Sequence, residues 1–102
     1  MPIATDRAIP IALIVNELIT NATKYAYEGR DGRIFVRFAL RADDVIELGV
    51  RDEGAALPSG FQLHAARSLG MRIVLVFVQQ LNAKLTFDRL DPGTEFVLLV
   101  PR

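Results

Sequence analysis

The sequence predicts an α+β domain, a two-layer sandwich in which helices cover one face of a mixed, mostly antiparallel sheet. Two observations support this class. A run with helical periodicity covers residues 9–27, and two pairs of strand-like segments each surround a short turn. The resulting order is helix, hairpin, loop, helix, hairpin. Since 102 residues can bury one core and leave no room for a second, we expect one domain over residues 1–102.

Composition narrows the class of protein. Hydrophobic residues make up 51% and charged residues 24%, as in ordinary globular domains. Twelve basic and twelve acidic residues cancel, which gives no support for nucleic-acid or membrane-surface binding. The lack of cysteine excludes disulfide scaffolds. With no signal-like N-terminus and no apolar run of about 18 residues, we expect a cytoplasmic domain without membrane contact, cut from a longer chain.

The first helix is predicted from about Arg7 to Tyr27. Its apolar side chains recur at helical spacing and are expected to form one buried stripe: Leu13, Ile14, Leu18, Ile19 and Ala22. Four other side chains are expected to share the opposite face: Glu17, Asn21, Lys24 and Tyr25. A carboxylate, an amide and an ammonium within two turns can hold a divalent cation and the phosphates attached to it. The alternative is an ordinary solvated helix face.

The remaining elements follow from periodicity and turn residues. Residues 33–41 alternate apolar residues with arginine and predict a half-buried strand, which a turn at 41–44 joins to a second strand at 45–51. Residues 52–67 are predicted to be irregular. The segment 68–82 is ambiguous because 73–78 is rich in β-branched residues, but its length and the possible caps Ser68 and Asn82 favour a helix. Strands at 84–89 and 94–100 are predicted around a turn at 90–93.

Two further stretches could carry chemistry. Asp52 ends a predicted strand and could accept a hydrogen bond from an exocyclic amine, while Gly54 would let the backbone approach a flat ring. Gly70 lies at the start of the second helix, where free amides bind phosphate. A simple turn and a simple helix cap explain the same residues. A P-loop and a strand followed by G-x-G-x-x-G are both absent from the sequence.

Taken together, these stretches resemble a known family. Asn-Glu-Leu-x-x-Asn-Ala-x-Lys-Tyr at 16–25 is similar to the asparagine box of the GHKL ATP-binding superfamily. Asp-x-Gly-x-x-Leu-Pro at 52–58 and Ser-Leu-Gly-Met-Arg-Ile-Val at 68–74 resemble its first and second glycine boxes. Gly93-Thr94 resembles the turn before its last strand. Among relatives the match is closest to sensor histidine kinases, especially the HWE-like subclass.

The resemblance implies site residues. Asn21 would bind Mg²⁺, Lys24 would contact phosphate, and Asp52 would accept the adenine amino group. Glu17 is the candidate catalytic residue. The resemblance implies that the matching glutamate activates water in hydrolytic relatives such as gyrase, whereas in kinases it would support metal geometry. The resemblance places the remaining nucleotide-binding residues in the asparagine box, the two glycine boxes and the last turn: Tyr25, Gly54, Ala56, Leu57, Ser68, Leu69, Gly70, Met71 and Thr94.

The resemblance also implies a function and exposes departures from the pattern. The domain would bind Mg-ATP and donate the γ-phosphoryl group to a histidine on a separate dimerisation domain, which would pass it to a response regulator.

That dimerisation domain is missing here, and His64 lies in the predicted lid at 59–67 rather than on a long helix. Ala56 replaces a family glycine, and the lid is short. Two alternatives stay open: an anti-sigma-factor serine kinase, and a degenerate domain that has lost ATP binding.

Overall fold

A computed structural model describes residues 5–28, 30–55, 69–90 and 92–102. It confirms the predicted order of elements, with two helices and two hairpins. The elements are α1 (Thr5–Asn21), a π-helical segment (Ala22–Ala26), β1 (Ile34–Leu40), β2 (Val45–Asp52), α2 (Leu69–Gln80), β3 (Lys84–Arg89) and β4 (Thr94–Pro101). Neither described helix is both long and apolar enough to cross a bilayer.

The four strands form one sheet in the order β1-β2-β4-β3. All three pairings between the described strands are antiparallel. The two central strands come from different hairpins, and their register sets Asp52 opposite Thr94. The end of β2 and the start of β4 therefore lie side by side at one end of the two central strands, although they are far apart in the chain.

The core lies between the helices and the sheet. Alternate residues of β2 and β4 face the helices, as expected for strands with one buried face. The buried apolar side chains form a single cluster: Ile11, Ile14, Leu18, Ile46, Leu48, Val50, Met71, Val74, Leu81, Leu98 and Val100. This cluster fixes both helices against the centre of the sheet.

The ambiguous segment is a helix, as its length predicted. Met71 and Val74 are buried at helical spacing, so burial against the sheet outweighs the β-branched composition. After the helix, Asn82 adopts a left-handed conformation with φ of 54°. The next N–H, that of Ala83, donates to the carbonyl of Val78 at 2.9 Å. Asn82 thus ends the helix, as predicted.

Two expectations about burial are wrong. Leu13, predicted in the buried stripe of α1, is 47% exposed. The strand β1 was expected to be half-buried, yet Val36 and Phe38 are exposed even though they lie opposite the buried residues Val50 and Leu48. Because β1 is an edge strand of the described sheet, the described helices, which pack on the central core, leave its inner face open.

The end of the first helix also differs from the prediction. The α-helix ends at Asn21, and residues 22–26 continue as a π-helix. Its last bond runs from the N–H of Tyr27 to the carbonyl of Ala22, five residues back, at 3.2 Å. Steps of three and four residues therefore do not describe how Lys24 lies relative to Asn21. Such π segments often occur at functional sites.

Candidate functional site

Asp52 is a buried acid at the end of a central strand. Only 5% of its surface is exposed, and its Oδ1 atom accepts the N–H of Gly54 at 3.0 Å. Burial raises the pKa of Asp52, whereas the backbone N–H groups of Gly54 and Thr94 act in the opposite direction. A buried carboxylate held by two backbone donors is a preorganised hydrogen-bond acceptor.

Thr94 lies directly across from Asp52 and has an unusual hydroxyl. The residue is 2% exposed, and its Oγ1 atom has no hydrogen-bond partner among the described residues. A buried hydroxyl without a hydrogen bond lowers the stability of the folded state, so a ligand or an ordered water that bonds to it would be favourable. The sheet pairing therefore places the Asp52 acceptor beside a hydroxyl that has no partner among the described residues.

The loop after β2 packs closely on the π-helix. The Ala55 N–H donates to the carbonyl oxygen of Ala26 at 2.9 Å. A Cβ atom added to Gly54 would lie 2.3 Å from that same oxygen. The glycine is thus needed for close approach between two backbone segments, and the first glycine box contacts Ala26, the residue directly after the asparagine box.

A second close approach joins the two helices. A Cβ atom added to Gly70, in the first turn of α2, would lie 1.7 Å from Oε1 of Glu17. The carboxylate of Glu17 therefore lies against the start of α2, where unpaired N–H groups and the helix dipole favour negative charge. The asparagine box contacts the second glycine box through this pair.

The other predicted residues occupy varied environments. Asn21 is half-buried and Lys24 is exposed. Leu69 is 71% exposed at the first position of α2, whereas Met71 belongs to the core cluster. The side chain of Met71 therefore serves packing, which leaves its backbone as the group nearest to the predicted role.

Several predictions lie outside the described residues. These concern Ala56, Leu57, Ser68, the lid at 59–67 with His64, and the side chain of Tyr25. Within the described residues, no group of three acidic or histidine side chains could hold a metal ion. A Mg²⁺ ion here would need most of its oxygen ligands from phosphates and water, which is its usual preference.

Sequence reasoning missed Tyr27. Its hydroxyl accepts the N–H of Glu53 at 2.7 Å and donates to the carbonyl oxygen of Arg33 at 2.5 Å. The residue thereby connects the end of the first helix to the segments flanking β1 and β2. No motif marked it, because both partners are backbone groups that leave no side-chain pattern.

Three motifs separated in the chain thus converge. Along the first helix and its π-helical end, Glu17 touches α2 and Ala26 touches the loop after Asp52. Residues 6–102 match the family described as "Histidine kinase-, DNA gyrase B-, and HSP90-like ATPase". The chain therefore belongs to this ATPase family, as the motif resemblance predicted.

The chain is also similar to individual sensor kinases. It is 35% identical over 101 residues to the sensor histidine kinase PdtaS of Mycobacterium tuberculosis, covering 95% of this chain and 20% of that protein. It is 30% identical over 100 residues to the blue-light-activated histidine kinase 2 of Erythrobacter litoralis, covering 97% of this chain and 29% of that protein. The predicted relationship to sensor histidine kinases of the HWE type is confirmed.

A solved structure has the same fold. The histidine kinase domain of a blue-light-activated kinase from Erythrobacter litoralis superposes with a TM-score of 0.88 at 29% identity. The match covers 99% of this chain and 50% of that chain. The predicted α+β class is confirmed, and the chain spans less than a third of the length of the two curated relatives.

Proposed function

We propose that this chain is one ATP-binding domain of a longer sensor kinase, and that it binds Mg-ATP and donates the γ-phosphoryl group to a histidine on a separate dimerisation domain. The observation that carries the proposal is that two segments contact the first helix and its π-helical end. The loop of Asp52 and Gly54 contacts Ala26, and the start of α2 at Gly70 contacts Glu17. Family membership supports a nucleotide ligand. The phosphorylated histidine would in turn supply a response regulator.

The base would bind at the Asp52 end of the site. The buried carboxylate of Asp52 would accept a hydrogen bond from the exocyclic amine of adenine. The hydroxyl of Thr94, which has no partner in the described part of the chain, would offer a second polar contact. Gly54 lets the loop lie flat beside the base. The raised pKa of Asp52 comes from its burial, and an amine donor would help to stabilise the charged form.

The triphosphate would bind at the Gly70 end. The first N–H groups of α2, including those of Leu69 and Gly70, have no intrahelical acceptor and suit phosphate oxygens. Glu17 brings its own negative charge to the same place. Two anions at one helix start repel unless cations lie between them, so Lys24 and a Mg²⁺ ion fit the charge pattern.

The donor set fits Mg²⁺. The amide oxygen of Asn21 and the carboxylate of Glu17 lie one helical turn apart, and hard oxygen donors are what this ion prefers. Bound Mg²⁺ supplies neutralisation of phosphate charge. Asn21 would hold it, Lys24 would bind the phosphates, and Glu17 would orient the groups around them.

The reaction would be a direct displacement. A ring nitrogen of the partner histidine attacks the γ-phosphorus, the bond to the bridging oxygen breaks, and ADP leaves with the electron pair. Catalysis of this kind rests on positioning and charge neutralisation rather than on covalent chemistry by the domain. The domain's contribution is to hold the triphosphate with its γ-phosphoryl group facing the partner.

Titration of the labelled chain with Mg-AMPPNP tests nucleotide binding. We expect amide shifts at Asn21, Asp52 and Gly70, and we expect them to shrink without Mg²⁺. A lack of shifts at these three residues would refute the proposal. The degenerate-domain alternative predicts the same negative result, and binding restored by Ala56→Gly would support it.

Radiolabelled ATP tests the transfer itself. The chain is mixed with the dimerisation domain of its parent kinase, and the label is expected on that domain in a form lost in acid. Phosphoserine survives acid, so an acid-stable label on a sigma-factor partner would favour the anti-sigma-factor alternative instead.

A further inference from the structure

We propose that Tyr27 is a positioning residue that sets the preference of the site for adenine, although it does not itself touch the nucleotide. This inference rests on the proposed function. It concerns the loop of Glu53, Gly54 and Ala55, which follows Asp52 directly and whose Gly54 N–H donates to the Asp52 carboxylate. A group that holds this loop in place therefore also holds the Asp52 carboxylate in place.

The loop is held at three consecutive residues by the end of the first helix. The Glu53 N–H donates to the hydroxyl of Tyr27 at 2.7 Å. Gly54 packs on the carbonyl group of Ala26, and the Ala55 N–H donates to the same carbonyl at 2.9 Å. Of the two hydrogen bonds, the one to Glu53 is made by a side chain and the one to Ala55 by a backbone carbonyl.

Tyr27 is itself fixed on two sides. Its hydroxyl donates to the carbonyl oxygen of Arg33, just before β1. Its ring lies against Gly32, where an added Cβ atom would be only 2.3 Å from a ring carbon. A shift of the hydroxyl toward or away from Glu53 would therefore also disturb its bond to the residue before β1, so the two contacts support each other.

The role is distinct from packing. Tyr27 is half-buried and lies outside the core cluster of α1, α2 and the sheet. Removing its hydroxyl leaves every core contact in place but frees the first residue after Asp52. A small displacement of a recognition group weakens binding strongly, because the strength of a hydrogen bond falls steeply as its distance and angle depart from the ideal. The loss should therefore fall on the contact that Asp52 makes, with the exocyclic amine.

The test compares two nucleotides in Tyr27→Phe and in the unchanged protein. ATP carries the exocyclic amine and ITP carries an oxygen at that position. We expect the Kd for Mg-ATP to rise about tenfold, the equivalent of one well-formed hydrogen bond. The Kd for Mg-ITP should change less than about twofold, so the variant loses much of its preference for ATP.

Two further variants sharpen the result. Thr23→Val removes a hydroxyl from the π segment that precedes Tyr27. This hydroxyl donates to the carbonyl of Ile19, and its removal should leave the ATP/ITP ratio unchanged. Gly32→Ala keeps the Tyr27 hydroxyl but displaces its ring, and should reduce the ratio as Tyr27→Phe does. Gly32→Ala is also the independent check if Tyr27→Phe does not fold.

The outcomes separate the two proposals. If the unchanged protein binds neither nucleotide, the proposed function fails and this inference fails with it. If the unchanged protein prefers ATP and both variants keep that preference, only the role of Tyr27 is overturned. An equal weakening of ATP and ITP would also overturn it, because that result indicates a general loosening of the fold.

Discussion

The carboxylate of Glu17 lies against the backbone of Gly70, so closely that a Cβ atom on Gly70 would come within 1.7 Å of Oε1. Gly70 is helical, so its backbone conformation does not require glycine. Glycine is required here because the side chain of Glu17 occupies the space that a Cβ atom would fill. In this chain the glycine of the second box thus leaves room for the acid of the asparagine box, which leads to the first prediction.

Gly70→Ala should displace Glu17 while leaving the fold intact. The long side chain of Glu17 can swing away, and alanine favours a helix over glycine by up to about 1 kcal/mol. We expect unchanged or slightly raised thermal stability of the chain and at least about tenfold slower phosphoryl transfer by the parent kinase, a barrier increase of about 1.4 kcal/mol. Val76→Ala, at an exposed position of the same helix outside the second glycine box, is the control. Wild-type transfer rates in Gly70→Ala would rule out a role for the observed Glu17 position.

Gly54→Ala should be harmful for a different reason. The atom it would meet is the carbonyl oxygen of Ala26, 2.3 Å from the added Cβ, and backbone cannot move as a side chain can. We expect a loss of about 1–3 kcal/mol in the free energy of unfolding, together with weaker Mg-ATP binding, measured by urea denaturation and calorimetry.

Gly49→Ala is the matched control for Gly54→Ala. Its added Cβ would meet the flexible ends of Arg37 and Glu95, at 2.9 and 3.0 Å, on the sheet face away from the helices. Gly49 is itself buried in the sheet, but the atoms in the way belong to flexible side chains that can move aside. We therefore expect a smaller loss in the free energy of unfolding than for Gly54→Ala, about 1 kcal/mol or less, the low end for overpacking, and unchanged nucleotide affinity. Equal effects of the two variants on ATP binding would contradict the special role of Gly54.

Thr94→Val should separate stability from binding. The hydroxyl of Thr94 is buried without a partner among the described residues, and valine keeps the shape while removing it. The nucleotide-free chain should gain up to about 1 kcal/mol of stability, because an unpaired buried polar group is removed. Mg-ATP affinity should fall. A variant that loses stability and binds ATP normally would show that the hydroxyl serves the fold.

The raised pKa of Asp52 predicts a pH dependence. Burial raises this pKa above the ordinary value of 3.8, so between 3.8 and the raised value the folded state binds more protons than the unfolded state. The contribution of Asp52 to the free energy of unfolding is therefore fully present below pH 3.8. It is lost as the pH rises through the pKa of Asp52 in the folded state. Relative to Asp52→Asn, the wild-type chain should therefore lose stability over that interval. Denaturation curves at several pH values measure the difference, and a constant difference would contradict the shift.

Local sequence was enough to predict the elements and to name candidate site residues. Helical periodicity predicted α1, alternation and turn residues predicted the two hairpins, and length with the cap Asn82 predicted that the β-branched segment 73–78 is helical. These signals are short-range, since they depend on neighbours within one or two turns. The motif resemblance then identified Glu17, Asp52 and Gly70 as candidates, without any indication of which side chains touch.

Only the tertiary structure decided the rest. Pairing of β2 with β4 brings Thr94 to Asp52, and packing of α1 on α2 brings Glu17 to Gly70. The π-helical turn, the exposure of Leu13 and the backbone contacts of Tyr27 also depend on partners distant in the chain. A periodic pattern states which face is apolar but not what covers it, and a side chain that binds backbone leaves no motif. Residue identities therefore determined the chemistry available, and long-range packing decided how it is arranged.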